Sequence, residues 1–394
     1  MGGLNSSRGS NLIGLRGTED LGGGLRASFT YEFGLNGNNV ANNGNALVAV
    51  AADSAVNNGS PFSQTRQAWV GLGGGFGEFR IGSQNTIFVP LRGYSAAIQE
   101  TGLGGSALAQ LNGNATTRNP VQLFVVDAYT FGTPGASTVA AGGINSITTA
   151  TGSTYLTPNQ GVTGPQPRYS NTLSYTSPTV NGLRGSIAIV REHSDNGVSA
   201  GLAINGAVSK LDAHILGLEY DQGPLSLKAA YTGKKLEAGR PAGGTATGAA
   251  VTAAQAVDSA KVRHYAIAGS YNLGAVVPYF IYEDGENKLG MIDGAASTAK
   301  FATDGYELGA RFPMGALTPY ISVSRGDWKA TAAGANTVTV KMDTYQLGTT
   351  YGMSKRTTLY AAYGQSQFKA TVAGFAGQAE DKLRGFRLGV THTF

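Results

Sequence analysis

The chain has no cysteine among its 394 residues, and only 13% of them are charged. Soluble globular domains carry roughly 25% charge. No disulfide framework and no thiolate metal centre can be built from this composition. The chain also lacks a long apolar run: the longest, Ala46 to Ala52, is seven residues, against the ~18 expected of a membrane helix. A helical membrane protein is therefore excluded. The start, Met1-Gly2-Gly3-Leu4-Asn5, has no basic residue, apolar core or small-residue cleavage site, so no secretory leader is readable in it. An exported protein carries one, so the expectation is a mature chain with an added Met, or a lost or misassigned start.

What the chain has instead is 59 Gly, 18 Tyr and 15 Phe. Many aromatics, little charge and no helical span suit a sheet closed on itself in a membrane, where every backbone group must find a partner. A soluble β-solenoid or fibrous protein would share this composition, so patterning has to decide. In the last twelve residues, Phe386, Leu388, Val390, His392 and Phe394 fall on one parity, and Arg387, Gly389, Thr391 and Thr393 on the other. Such a strand meets two different solvents on its two faces. A terminal Phe394 fits an aromatic girdle at a membrane interface.

The same alternation predicts a series of paired strands. These are Leu12–Glu19 with Leu25–Phe33, Thr65–Leu72 with Glu78–Gln84, Arg168–Ser177 with Leu183–Glu192, and Lys210–Tyr220 with Leu225–Lys234. Lys261–Asn272 with Val276–Glu283 and Asp304–Pro313 with Leu317–Arg325 continue it, and Lys341–Tyr351, Arg356–Ser366 and Leu383–Phe394 complete about fifteen strands. Each is near the ~9–11 residues that cross a bilayer when tilted. Short turns rich in Gly, Pro, Asn or Asp alternate with long segments (Asn36–Gln64, Thr86–Pro167, Leu236–Ala260 and Lys369–Lys382), a sorting that belongs to outer-membrane barrels. Leu25, Ala27, Phe29, Tyr31 and Phe33 oppose Arg26, Ser28, Thr30 and Glu32; Tyr306, Leu308, Ala310 and Phe312 oppose Glu307, Gly309 and Arg311. A small dry barrel would carry apolar residues inside. Polar inner faces on this many strands predict an all-β transmembrane antiparallel barrel with a water-filled lumen, one domain over residues 1–394.

Five stretches in order carry a family likeness: GLRGTEDLGGGLRASFTYEFG at Gly14–Gly34, RQAWVGLGGGFGEFRIGSQNT at Arg66–Thr86, RYSNTLSYTSPTVNGLRGSIAI at Arg168–Ile189, YGMSKRTTLYAAYG at Tyr351–Gly364, and the terminal GVTHTF. On these the chain resembles the general porins of Gram-negative outer membranes, of the β-proteobacterial trimeric type. The resemblance implies a sixteen-stranded barrel, a homotrimer set among outer-membrane lipid and lipopolysaccharide, and a third long loop folded into the lumen as its constriction. The family's opening strand has no counterpart before Asn11, so about fifteen strands are expected here with the first missing. Leu12 and Ser83 stand where the family commonly has arginine; Arg168 matches.

Parity points Arg16, Arg26, Arg80, Arg168, Lys228, Arg311 and Arg387 inward, with the acidic Glu32, Glu78 and Glu307 and a further candidate in Glu219. With a net charge of +5 and a pI near 9.2, a lumen focusing a positive field would favour small anions. Pairing of neighbours, such as Arg80 with Glu78, would cancel part of it. Residues 86–167 carry only Arg92, Glu100, Arg118 and Asp127 as charges, which suits packing against the inner wall. Glu100 or Asp127 is expected to face the arginines across the constriction.

Enzymatic motifs dissolve on inspection. Gly197-Val198-Ser199-Ala200-Gly201 matches a serine-nucleophile pattern but lies in a loop between alternating strands. Gly22–Ala27 formally fits a dinucleotide fingerprint, yet a strand follows it. The four His residues lack ligand spacing, so no metal or cofactor is expected. No basic cluster supports nucleic-acid binding. The reading is a diffusion channel for small hydrophilic solutes and ions, with a substrate-specific channel, or a barrel adhesin, as alternatives.

Overall fold

The computed structural model describes residues 12–35, 62–96, 168–194, 208–240, 255–292, 300–331, 337–373 and 378–393, with seven two-residue strand segments between them. The long strands are β1 (Leu12–Gly22), β2 (Leu25–Leu35), β3 (Phe62–Gly74), β4 (Gly77–Asn85) and β5 (Arg168–Thr176). They continue with β6 (Leu183–Ser194), β7 (Val208–Gln222), β8 (Leu225–Arg240), β9 (Gln255–Tyr271) and β10 (Val277–Ile292). Then follow β11 (Lys300–Arg311), β12 (Leu317–Thr331), β13 (Val338–Gly352), β14 (Thr357–Val372) and β15 (Ala379–His392). Among the described residues one helix, α1 (Phe88–Arg92), follows β4.

All fifteen expected strands are present, and they hydrogen-bond antiparallel in strict chain order. The two-residue strand Ala295–Ala296 adds to β10 and completes a sixteen-stranded sheet. Among the described residues no ladder joins β1 to β15, so the sheet is open at that seam. The tight turns sit where their residues demand. Gly22, Gly23 and Gly24 all have positive φ between β1 and β2, and the Asp20 carboxylate accepts the Gly22 N–H at 2.9 Å.

The expected strands are too short at their long-loop ends. Val276–Glu283 becomes β10, which runs to Ile292, and Leu317–Arg325 becomes β12, which runs to Thr331. The reason is chemical. Beyond Tyr282 the outward positions of β10 are Asp284, Glu286 and Lys288, so alternation of polarity stops while the backbone ladder continues.

Burial is inverted relative to a water-soluble sheet. On one face Leu15 is 71% exposed, Leu308 49%, Leu347 51% and Leu388 72%, while on the other His264 and Glu307 are 0% exposed and Glu283 2%. Full burial of a Leu side chain is worth about 1.5–3 kcal/mol, so a row of such residues left in water would oppose folding. A hydrocarbon surround removes that cost. Aromatic pairs border the apolar band at both ends: Phe79 with Tyr175 at 4.7 Å toward the short turns, and Tyr231 with Tyr265 at 5.1 Å toward the long loops.

The curvature of the sheet follows from one contact. Arg92 is seven residues past the end of β4, yet it bonds Glu283 on β10, six strands away. Six strand spacings of ~4.8 Å would span about 29 Å of flat sheet. The connection offers two loop residues and a five-residue helix rising only ~1.5 Å per residue. A sheet curled toward the face that bears Glu283 brings the two together, so that face is the concave one.

That inner face is not uniformly polar, which corrects the sequence expectation. Val190, Leu211, Ala213, Ile215, Val262, Ala266 and Ala268 line part of it and form one buried cluster with Phe88 and Leu91 of α1. The apolar side of a helix lies against these strands and needs an apolar wall. Gly217 on β7 belongs to the same fit: a Cβ there would lie 2.9 Å from Ile87.

Candidate channel lining and loop anchor

On β1 and β2 the register groups Arg16 with Thr30, Asp20 with Arg26 and Gly14 with Glu32 on the concave face. The same rows continue onto β3, where Arg26 faces Gly73 and Thr30 faces Trp69. Arg80 of β4 lies over the Trp69 ring, 4.1 Å from its centroid. Its Nη2 donates to the Glu78 carboxylate at 2.6 Å, and Ser28 Oγ donates to the other oxygen at 2.9 Å. The pairing weighed against the positive field is therefore real at this position.

A register shift between Gly82 and Gln84 pairs Tyr169 with Gln84 and Arg168 with Asn85, with Asn171 at φ 46. Strict alternation from Thr172 does not extend to Arg168, because the bulge inserts a residue. Arg168 is half-buried, and Glu32 acts electrostatically on both it and Arg66. Arg66, at a second irregularity on β3, had not been singled out from sequence.

Lys228 on β8 bonds Glu219 on β7 at 2.6 Å, and Arg184 of β6 reaches the other oxygen of the same carboxylate at 2.8 Å. Arg311 does not face open space: its Nη2 donates to the Tyr94 carbonyl at 2.6 Å, and its guanidinium lies 4.9 Å from the Tyr279 ring centroid. Arg387 pairs with Ala362 at the backbone, between the exposed Phe386 and Leu388. The Arg387 side chain, Phe394, Glu100 and Asp127 lie outside the described residues.

The most developed constellation is where residues 86–96 meet the far wall. Arg92 Nε and Nη2 donate to the two oxygens of Glu283, each at 3.1 Å. His264 Nε2 lies 3.2 Å from the same carboxylate, and the Phe88 ring packs edge-on against the His264 ring. A planar fork on a carboxylate fixes direction as well as distance. One strand further on, Glu307 accepts from Ser95 Oγ at 2.5 Å, Tyr279 OH at 2.9 Å and Ser322 Oγ at 3.1 Å. The Ala96 N–H donates to Tyr279 OH at 3.2 Å, and Tyr94 OH shares a hydrogen bond with Ser226. Two buried carboxylates thus hold this segment to β10 and β11, and the Ser226 hydroxyl and His264 ring hold it to β8 and β9.

Glu307 was expected on the inner face as an acidic group, but here it anchors the loop. Glu283, His264 and Arg184 were missed. Glu283 closes the expected strand Val276–Glu283, with Tyr279 and Ile281 on its own face. Both faces of β10 are apolar below that point, which hides which of them is inner.

The comparisons agree with this geometry. The sequence profile of the Gram-negative porins matches residues 2–371. An outer membrane porin protein of Bordetella pertussis is 24% identical over 411 residues, covering 99% of this chain and 84% of that protein. Outer membrane porin protein 32 of Delftia acidovorans is 26% identical over 414 residues, covering 99% of this chain and 86% of that one. Among solved structures, an anion-selective porin from Comamonas acidovorans superimposes with a TM-score of 0.59 at 21% identity, over 100% of this chain and 91% of that one. OmpT of Vibrio cholerae superimposes with a TM-score of 0.54 at 13% identity, over 98% and 89% of the two chains. A curled sheet that is apolar outside, with a polar wall and a tethered loop inside, together with a profile match spanning nearly every strand, leads to one conclusion: the chain belongs to the Gram-negative porin family and forms a passive channel in the outer membrane.

Proposed function

We propose that the channel admits small hydrophilic solutes and ions by diffusion, prefers anions, and is narrowed by residues 86–167 folded into the lumen. The observation that carries the preference is the charge on β1 to β5. Arg16, Arg26, Arg66, Arg80 and Arg168 stand there against Asp20, Glu32 and Glu78. Across the lumen, Glu283 is engaged by Arg92, and Glu307 by three hydroxyls. Fixed cations in a narrow wet passage with low-dielectric walls raise the local concentration of counter-ions. The solved porin from Comamonas acidovorans is itself described as anion-selective, which supports the same sign. Permeability ratios in planar bilayers test it: R26Q/R80Q should lower the chloride-to-potassium ratio, and an unchanged ratio would refute the role of these arginines.

The constriction is supported by the anchoring of residues 86–96, which carries the chain from β4 to β11 through the interior. A homotrimer is supported by the contrast between two arcs of the outer wall. β1 to β5 run 9–13 residues, while β7 to β10 run 15–17. The shorter arc presents exposed Leu15, Phe29, Val70, Ile81 and Leu173, without the charged belt that crowns β7 to β11. A low apolar arc is suited to contact with another copy, and the longer charged arc to the lipid headgroup region.

A further inference from the structure

Histidine is the side chain whose ordinary titration falls between about pH 5 and 8, and the loop anchor has one at its centre. Arg92 donates to both oxygens of Glu283, which suits an ionised carboxylate that only accepts. His264 Nε2, 3.2 Å from that carboxylate, therefore carries the hydrogen of the neutral ring. Nδ1 is then the bare nitrogen, and it is buried without a hydrogen-bond partner among the described residues. The ring lies flush over Gly285, its register partner on β10, where a Cβ would come within 2.6 Å of Nδ1. The Phe88 ring of α1 packs against it edge-on, and His264 is fully buried.

The groups that face this ring come from several elements. Glu283 stands on β10 and Arg92 on α1, and Lys234 of β8, itself buried, acts on the ring electrostatically. The Tyr169 ring of β5 lies beyond Lys234, 5.6 Å from its ammonium group. Thr232 of β8 and Thr303 of β11 share the row of His264 and carry no charge. A second proton on the ring has to go to Nδ1, where no acceptor lies among the described residues. It sets a further cation beside Arg92 and Lys234 where bulk water does not reach. A buried donor without a partner also carries its full desolvation cost. Lifting α1 off the wall lets water solvate the ring and relieves both. We propose that His264 is a positioning residue for the constriction: its protonation frees residues 86–96 from the inner wall, so that neutral pH holds the segment and acid releases it. The proposal rests on the reading of residues 86–167 as the narrowing of the lumen, and adds regulation by pH to it.

The test is hydrogen exchange of the peptide covering residues 86–96 in the detergent-solubilised protein, read by mass spectrometry. It is run at about pH 8 and about pH 5, the two ends of the ordinary histidine range, and corrected for the intrinsic exchange rate at each. Protection in the wild type should fall about tenfold in acid, the loss expected of one buried unpaired donor. H264Q, whose amide can still donate to Glu283 but gains no proton in this range, should be equally protected at both. H214Q, changed at an exposed histidine of β7, should lose protection in acid as the wild type does. In planar bilayers, wild-type currents should grow noisier in acid and those of H264Q should not. Should H264Q fail to fold, H264N takes its place with the same expectations. Equal protection of the wild type at both pH values, or a glutamine variant as sensitive to acid as the wild type, would overturn the switch. Acid release of the peptide with wild-type currents unchanged would instead strike the reading of residues 86–167 as the constriction.

Discussion

Arg92, on the helix that follows β4, grips Glu283 of β10 through two hydrogen bonds of 3.1 Å, from the opposite side of the curled sheet. Their side chains are only 9% and 2% exposed, so neither charge is solvated by bulk water. Removing one partner of a buried pair leaves the other charge unpaired, which typically costs about 3–5 kcal/mol, whereas replacing both by apolar groups is often close to neutral. E283L and R92L should each destabilise the folded protein by about 3 kcal/mol or more in urea titrations, and R92L/E283L should recover most of that loss. Additive losses in the double variant would show that the pair does not act as a unit. The single variants should also show noisier single-channel currents, because the segment that crosses the interior loses its fixed point.

The two faces of β11 make opposite predictions at adjacent positions. Leu308 is 49% exposed in the outward apolar band, and Glu307 beside it is fully buried inside. A basic residue on the lipid face near the bilayer midplane costs about 2–4 kcal/mol. L308R should lower stability in lipid vesicles by that amount with little change in ion selectivity. An L308R protein as stable as wild type would mean that this face does not meet hydrocarbon.

Assembly should be sensitive to the short arc alone. Ile81 on β4 is 58% exposed and Ile321 on β12 is 49% exposed, both on outward positions. If copies meet along β1 to β5, I81E should shift the purified protein from trimer to monomer on gel filtration in mild detergent, and I321E should leave the trimer intact. The reverse pattern would place the contact on the other arc.

The strands themselves were legible in the sequence because a bilayer gives the two sides of each strand different solvents, and side chains alternate accordingly. The legibility ended where that difference ended. Past Tyr282 on β10 both faces carry polar residues. Past Val323 on β12 the polarity inverts, with Arg325, Asp327 and Lys329 on the outer parity and Trp328 on the inner one. The extension to Ile292 and Thr331 therefore no longer followed the apolar-outside pattern. The orientation of Arg168 was not readable from alternation for another reason: one residue inserted near Asn171 resets the parity, and an Asn that tolerates positive φ is a weak mark of it. The loop anchor was the least legible feature. Glu283 and Arg92 lie 191 positions apart, and only the folded wall joins them. Conversely, the pairing of Arg80 with Glu78 was readable, since alternate residues on one strand share a face.

The central claim is that fixed positive charge along an aqueous passage governs which ions enter. Its most direct test is the zero-current potential of the reconstituted wild-type protein across a planar bilayer separating concentrated from dilute KCl. That potential should be displaced toward the chloride equilibrium value. A potential displaced toward the potassium value would contradict it.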